Sequence, residues 1–240
     1  MAAGRARVRR EILADLLREL GPASPTLCAG WTAHDLAAHL VTRERAPWAG
    51  PGLVVGALHG VTERAERATM RAHRYPELVE MFRCGPPWWH PARLTPVDDA
   101  ANLVEFYVHT EDLRRAAPGY TPADPFGGAG GGRVGGGLAS NPPADDAAVD
   151  RDAMWAALRL IGLAGFRHSE VGVVVERTDA PGRLALRRRE PVVEIVGPPE
   201  ELLLFAFGRR AAAQVELRGD PEAVAHLAGP LPALALAGRV

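Results

Sequence analysis

The chain has 240 residues, which is enough for one large domain or two small ones with a real hydrophobic core. Its formal net charge is only −1, which argues against a dedicated binder of nucleic acid or of anionic membranes, because phosphate contact needs a concentrated positive surface. All 28 basic residues are arginine. Mechanisms that require a lysine, such as Schiff-base catalysis, are therefore excluded.

The chain shows no sign of an extracellular or membrane address. Two cysteines, Cys28 and Cys84, do not make a disulfide framework. The N-terminal segment carries charges where a signal peptide needs an apolar run, and the longest apolar stretch, 202–207, is too short to cross a bilayer. We therefore expect a cytoplasmic protein with neither a membrane nor a nucleic-acid partner.

Apolar residues at helical spacing predict four helices in the first half of the chain. The first ends before Gly21, and the second opens at Thr32 with a capping-box pattern and runs to about residue 46. The third covers about 59–84 with a break expected at Tyr75-Pro76, and the fourth covers about 96–117. Short connections between these helices predict a four-helix bundle over residues 1–118.

The character of the chain changes after residue 118. Residues 119–150 are rich in glycine and proline, and they are predicted to be a flexible linker or insertion because they cannot bury enough apolar surface to offset their ordering entropy. Beyond them the pattern predicts a helix at 151–166, strands at 171–176, 184–188 and 192–196, a helix at 197–207, a strand at 214–218 and a last short helix from residue 220. Residues 151–240 are therefore predicted to form a small α+β domain.

The fourth helix carries a polar stripe where the bundle core is expected. Five polar side chains of this helix fall within a band roughly 80° wide when successive residues are turned by about 100°. They are Asp98, Asn102, Glu105, His109 and Asp112. The opposite side is predicted to face solvent and carries Tyr107, Glu111 and Arg114. An amphipathic helix usually has the reverse arrangement, so the stripe indicates a buried polar site.

Within this stripe, Glu105 and His109 are one helical turn apart and can converge on one ion. A third ligand must come from another helix, and His39 is the best candidate because Leu36 and Leu40 share its inward side. Two histidines and one glutamate are a ligand set of catalytic zinc, which keeps a fourth position open. The alternative explanations are ordinary ones: a surface Glu-His pair on the fourth helix, and a hydrogen-bonded core histidine at position 39.

The sequence TLCAGWTAHDLAAHL at 26–40, together with EFYVH at 105–109, resembles the signature of DinB-like four-helix bundles of the mycothiol-dependent maleylpyruvate isomerase type. In that family these positions hold a divalent metal, usually zinc, so the resemblance implies His39, Glu105 and His109 as the ligands. The segment 197–209 is similar to the family's second domain, a small α+β unit akin to sterol-carrier proteins. The resemblance implies a catalytic arginine there, with Arg209 as the match and the adjacent Arg210 as the alternative.

These expectations combine into one functional hypothesis and one rival. The resemblance implies zinc or another divalent metal and mycothiol as cofactors, with the metal-bound thiolate adding to an electrophilic small molecule in an isomerase or thiol-transferase reaction. Arg209 would hold a carboxylate of that substrate by a bidentate pair. The rival is a non-catalytic metal-binding or sensor protein of the same fold. Thiol catalysis by Cys84 near His90 is a poorer explanation, since a cysteine beside a Pro- and Trp-rich connector is ordinarily a small hydrophobe.

Overall fold

The computed structural model describes residues 4–46, 59–90, 93–120 and 144–229. This part of the chain contains eight α-helices and a four-stranded sheet, and it forms two compact units, one in the residues up to 120 and one in those from 144. The mixed content of helix and strand agrees with the predicted fold class. Within the described ranges, none of the helices combines the length and the hydropathy that a membrane span requires.

The first unit is built from helices alone. In chain order they are α1 (Arg5–Leu20), α2 (Ala33–Arg45), α3 (His59–Ala72), α4 (Tyr75–Arg83) and α5 (Thr95–Ala116). Leucine and phenylalanine side chains from α1, α2, α4 and α5 fill one core; the fully buried ones include Leu13, Leu17, Leu36, Leu78, Phe82 and Phe106.

The third predicted helix is divided in two, as expected at Tyr75-Pro76. Helix α3 ends at Ala72, Arg74 has an extended backbone, and α4 begins at Tyr75. Pro76 therefore lies in the first turn of α4, where its missing N–H costs no helical hydrogen bond. The carboxylate of Glu77 accepts the Arg74 N–H at 3.0 Å and closes the new helix start.

The prediction that one side of the fourth helix faces solvent is wrong. Tyr107, Glu111 and Arg114 on α5 are only 5–6% exposed. Their polarity is compensated locally, because Glu111 pairs with Arg114 at 3.0 Å and with Arg115 at 2.8 Å. A helix whose charged side chains find partners in this way can be buried around its whole circumference, and periodicity then no longer marks a solvent face.

The second unit is the predicted α+β arrangement. Its elements are α6 (Ala144–Gly165), β1 (Gly172–Arg177), β2 (Arg183–Arg187), β3 (Val192–Gly197), α7 (Pro199–Ala206), β4 (Glu216–Gly219) and α8 (Pro221–Ala228). The strand order is β2-β1-β3-β4, with β1 and β3 parallel and the two outer pairs antiparallel. Val173 and Val175 of β1 and Val193 and Ile195 of β3 are at most 1% exposed, which places the core of the unit on this central strand pair.

The predicted linker, 119–150, is too long at its C-terminal end. Helix α6 begins at Ala144, seven residues before the predicted start at 151. The reason is the alanine-rich run that follows Pro142-Pro143, since alanine is the strongest helix former and proline is tolerated just ahead of a first turn. The glycine-rich part of the linker prediction lies outside the described residues.

Candidate metal centre

The start of α2 determines which way His39 points. The carboxylate of Asp35 accepts the backbone N–H of Thr32 at 2.9 Å and the Thr32 hydroxyl at 2.6 Å, so the helix begins at Ala33. Leu36 and Leu40 are then fully buried against the core, and His39 beside them is 1% exposed. The cap at Thr32 thus fixes His39 in the interior of the bundle.

The three predicted ligands lie together in the structure. His109 Nε2 is 3.2 Å from Glu105 Oε1, one turn earlier on α5, and His39 Nε2 is 3.5 Å from the same oxygen. The two imidazole rings meet edge to face, with centroids 5.4 Å apart. The donor atoms of His39, Glu105 and His109 all lie within 4.8 Å of one another. These three residues are called the metal cluster below.

Each imidazole of the metal cluster also contacts a second carboxylate on its other nitrogen. His39 Nδ1 is 2.8 Å from Glu66 Oε1 on α3, and His109 Nδ1 is 3.0 Å from Asp112 Oδ2. A carboxylate can only accept, so each Nδ1 carries the proton in its bond. The Nε2 atoms are thereby the ring nitrogens that face Glu105.

The donor set fits a divalent metal. His39 Nε2 is buried and has no hydrogen-bond partner within the described ranges, although it faces a carboxylate oxygen. A neutral imidazole nitrogen and a carboxylate both present lone pairs, and a buried lone pair without a donor is costly unless a cation accepts it. Two imidazoles and one carboxylate are a common zinc set.

A second group of possible ligands, Cys28, His109 and Asp112, lies beside the first. Its acceptor is already used, since Asp112 Oδ2 receives both the Cys28 thiol at 3.3 Å and His109 Nδ1 at 3.0 Å. These contacts hold the Nδ1 side of the His109 ring, and they occupy the oxygen of Asp112 that a metal ion would need. The geometry therefore favours the metal cluster over this second group.

Arginine provides positive charge inside the bundle. Arg43 follows His39 by one turn on α2; its Nε is 3.6 Å from Glu105 Oε1, and its Nη1 donates to Asn102 Oδ1 at 2.7 Å. Burial raises the pKa of Glu105, but the charge of Arg43 and the hydrogen bond with His109 hold it well below its usual range. Sequence reasoning missed Arg43 as a positive group beside the predicted ligands, although its i, i+4 spacing from His39 was the signal available in the sequence.

The pKa of His109 is shifted in the opposite direction. Burial lowers it, but hydrogen bonds with Asp112, Cys28 and Glu105 raise it well above the usual value for histidine. Without a metal, the imidazolium of His109 compensates part of the negative charge that surrounds it. A metal ion would take over that compensation when the ring loses its proton.

The other two members of the polar stripe, Asn102 and Asp98, connect helices. The side-chain oxygen of Asn102 accepts a hydrogen bond from Arg43, and its side-chain N–H donates to Asp98 Oδ1 at 2.7 Å. Asp98 also lies 3.5 Å from Arg10 of α1. Their contacts are those of interhelical bridges.

Arg209 and Arg210 belong to the second unit, and their surroundings differ. Gly208 ends α7 with a φ of +86°, which turns the chain sharply, and Arg209 is 9% exposed with its Nη1 donating to the Phe207 carbonyl at 2.9 Å. Arg210 Nη1 donates to the carbonyls of Leu227 and Gly229 at the end of α8. Burial lowers the pKa of Arg210 to about 10. Arg210 is thus tied to the end of a helix, whereas the predicted role of Arg209 toward a substrate stays a prediction.

Sequence reasoning missed Glu66, which lies 27 residues from His39 on a different helix. No local pattern marks it, because α3 carries charged residues on most of its surface. Comparison of the chain with family models, with curated proteins and with solved structures finds no match. The likeness to DinB-like proteins therefore remains a prediction from the two motifs.

Proposed function

We propose that the helical unit binds one divalent metal ion, with zinc as the best match, through His39 Nε2, Glu105 and His109 Nε2. The observation that carries this proposal is the buried His39 Nε2, which faces a carboxylate oxygen at 3.5 Å without a hydrogen-bond donor among the described residues. With a proton on each Nδ1, both Nε2 atoms face Glu105, and His109 would release its second proton when the metal binds.

The direct test is a metal titration. Protein stripped with a chelator is titrated with zinc, and metal content is also measured by elemental analysis after purification without added metal. We expect one equivalent of tightly bound metal per chain. Stripped protein that takes up no zinc would end the proposal.

We further propose that the protein is a mycothiol-dependent enzyme acting on a small electrophile, with isomerisation or thiol transfer as the reaction. Three protein ligands leave a fourth position for an exogenous ligand, and the motifs at 26–40 and 105–109 resemble a family that uses this thiol. When bound, the metal would supply a Lewis acid that holds the thiol as its thiolate.

Two arginines are candidates to hold a carboxylate of the substrate. Arg43 lies beside the metal cluster, and its side chain is 23% exposed, so an anionic group from solvent can reach it. Arg209 is the candidate from the second unit. Each guanidinium offers a planar fork that matches a carboxylate, and lysine keeps the charge without the fork.

The test of catalysis uses mycothiol and a panel of carboxylate and neutral electrophiles with metal-loaded and metal-stripped protein. Conversion of the electrophile is followed together with thiol consumption, because an isomerisation regenerates the thiol whereas a thiol transfer consumes it. We expect turnover only in the loaded protein. Arg43→Lys and Arg209→Lys are then compared: the variant that holds the substrate keeps its zinc and its melting temperature but loses most turnover with carboxylate electrophiles. Absence of turnover across the panel, with zinc bound, would identify a non-catalytic metal-binding protein instead.

A further inference from the structure

The two histidines of the metal cluster are held by carboxylates that come from different helices. Glu66 of α3 accepts from His39 Nδ1 at 2.8 Å, and Asp112 of α5 accepts from His109 Nδ1 at 3.0 Å. The bond between a histidine Nδ1 and a carboxylate thus occurs twice in one site. The Nε2 atoms of both rings face Glu105. A single pairing is common in proteins, but the repetition around one carboxylate needs an explanation of its own.

Glu66 is not placed like a surface residue of α3. Its side chain is 16% exposed, whereas that of Glu63, one turn earlier, is 31% exposed and lies 3.5 Å from Arg67 in an ordinary i, i+4 pair. Removing a carboxylate from water is costly unless a charged or donating partner compensates it. The imidazole of His39 is such a partner.

A second contact holds α3 in the rotation that brings Glu66 to His39. Thr42, on α2, donates its hydroxyl to the Thr69 hydroxyl at 2.9 Å, and Thr69 follows Glu66 by three residues on α3. The two contacts lie on one face of α3, against the same face of α2. Helix α3 therefore presents Glu66 to the metal cluster through its packing on α2.

We propose that Glu66 and Asp112 are positioning residues of the metal centre, each fixing the tautomer and the ring orientation of one histidine so that both Nε2 atoms are ready to coordinate. This inference rests on the metal binding proposed above. A carboxylate on the far nitrogen of a ligand histidine also raises the basicity of the ligating nitrogen. The centre then depends on three helices, although its ligands come from two.

Glu66 is the informative one of the pair. Asp112 is also bonded to Cys28 through its side chain and to the Leu27 N–H through its carbonyl, so a change at Asp112 disturbs the fold near residue 28 as well. Glu66 contacts His39 through its carboxylate, and the exposed Arg64 and Arg67 lie near it on α3, although Thr62 and Ala65 on the same helix are buried. Its substitution is therefore a cleaner probe of the effect on His39.

The experiment compares Glu66→Ala, Glu66→Gln and the matched control Glu63→Ala on the same helix. Zinc affinity is measured by competition with a chelator of known affinity, the geometry of the centre by the visible absorption of the cobalt-substituted protein, and the fold by the melting temperature of the metal-free protein. We expect Glu66→Ala to lose about 10- to 100-fold in zinc affinity and to change the cobalt spectrum. Glu66→Gln keeps an acceptor oxygen for Nδ1 and should recover most of the affinity, and Glu63→Ala should match the wild type.

The possible results separate this inference from the proposed function. If the wild-type protein binds no metal, both the proposed metal binding and the positioning role of Glu66 are overturned. Wild-type binding with unchanged affinity and spectrum in Glu66→Ala removes only the role of Glu66. An affinity loss in Glu66→Ala that Glu66→Gln does not recover, with a lowered melting temperature in both metal-free variants, would show that Glu66 supports the fold rather than the ligand, and it too overturns the inference.

Discussion

Two of the buried polar clusters in the described part of the helical unit compensate their charges in different ways. The first is the metal cluster of His39, Glu105 and His109. The second, here called the arginine cluster, consists of Arg10, Glu44 and Asp98. Arg10 lies 2.6 Å from Glu44 and 3.5 Å from Asp98, so its positive charge faces negative charge directly.

In the arginine cluster, charges of opposite sign lie side by side, although both carboxylate oxygens of Glu44 are buried without a well-formed hydrogen bond within the described ranges. Arg10 Nη1 also donates to the Phe82 carbonyl at 2.9 Å, and its guanidinium lies against the rings of Phe82 and Phe106, at 5.0 and 4.7 Å from their centroids. In the metal cluster, by contrast, the lone pairs of a nitrogen and an oxygen face each other across 3.5 Å. Burial of charge therefore does not itself identify a site; what distinguishes the metal cluster is that two acceptor atoms face each other.

The change expected to have the largest effect on this comparison is His109→Ala. It removes a ligand, so tight zinc binding should be lost, together with the increase in melting temperature that zinc gives the stripped wild type, since ligand binding to the native state stabilises it by mass action. His226→Ala, at a half-exposed histidine of the second unit, is the control. A His109→Ala protein that keeps one equivalent of zinc would contradict the assignment.

The arginine cluster should respond in the opposite manner, with a large loss of stability and no loss of metal. Arg10→Met leaves the Glu44 carboxylate buried without its counter-charge and should lower the free energy of unfolding by about 3–5 kcal/mol. Arg10→Met combined with Glu44→Met should cost much less, because neither charge remains buried alone. Denaturant unfolding measures the free energy of unfolding of the single and of the double variant. Additive losses in the double variant would show that the pair is not a compensating one.

A smaller effect is expected at Arg210, which binds backbone rather than carboxylate. Arg210→Met keeps an apolar side chain beside Phe205 but removes the guanidinium, with its contact to that ring and its bonds to the carbonyls of Leu227 and Gly229. The free energy of unfolding of the second unit should fall by about 1–3 kcal/mol, with zinc content unchanged. Loss of zinc in this variant would mean that the metal centre depends on the second unit.

The smallest effect is expected from deleting residues 127–137 of the glycine-rich segment, which lie outside the described part of the chain. If they are only linker, the deletion should change neither metal binding nor the stability of the helical unit, because the entropy of loop closure changes slowly with loop length. Elemental analysis and an assay of electrophile conversion should therefore give the metal content and turnover of the full chain. A deletion protein without metal or activity would assign this segment to the site.

Local patterns predicted most of the helical unit. The spacing of apolar residues marked the helices, the Thr32 to Asp35 pattern marked the start of α2, and proline at 76 marked the division between α3 and α4. The polar stripe on α5 singled out Glu105 and His109 because they are neighbours in one helix, and His39 was found from the inward side of α2. All of this information lies within one or two helical turns.

Local patterns in the chain were therefore enough to predict the order of the helices and strands and to select the three candidate ligands. Three features could be seen only in the folded protein: the contact of Glu66 with His39, the pair of Arg10 with Glu44, and the burial of α5 on the side predicted to face solvent. These outcomes depend on how helices rotate and pack against one another. That rotation is settled by many contacts distant in sequence, such as the one between Thr42 and Thr69, which no local period records.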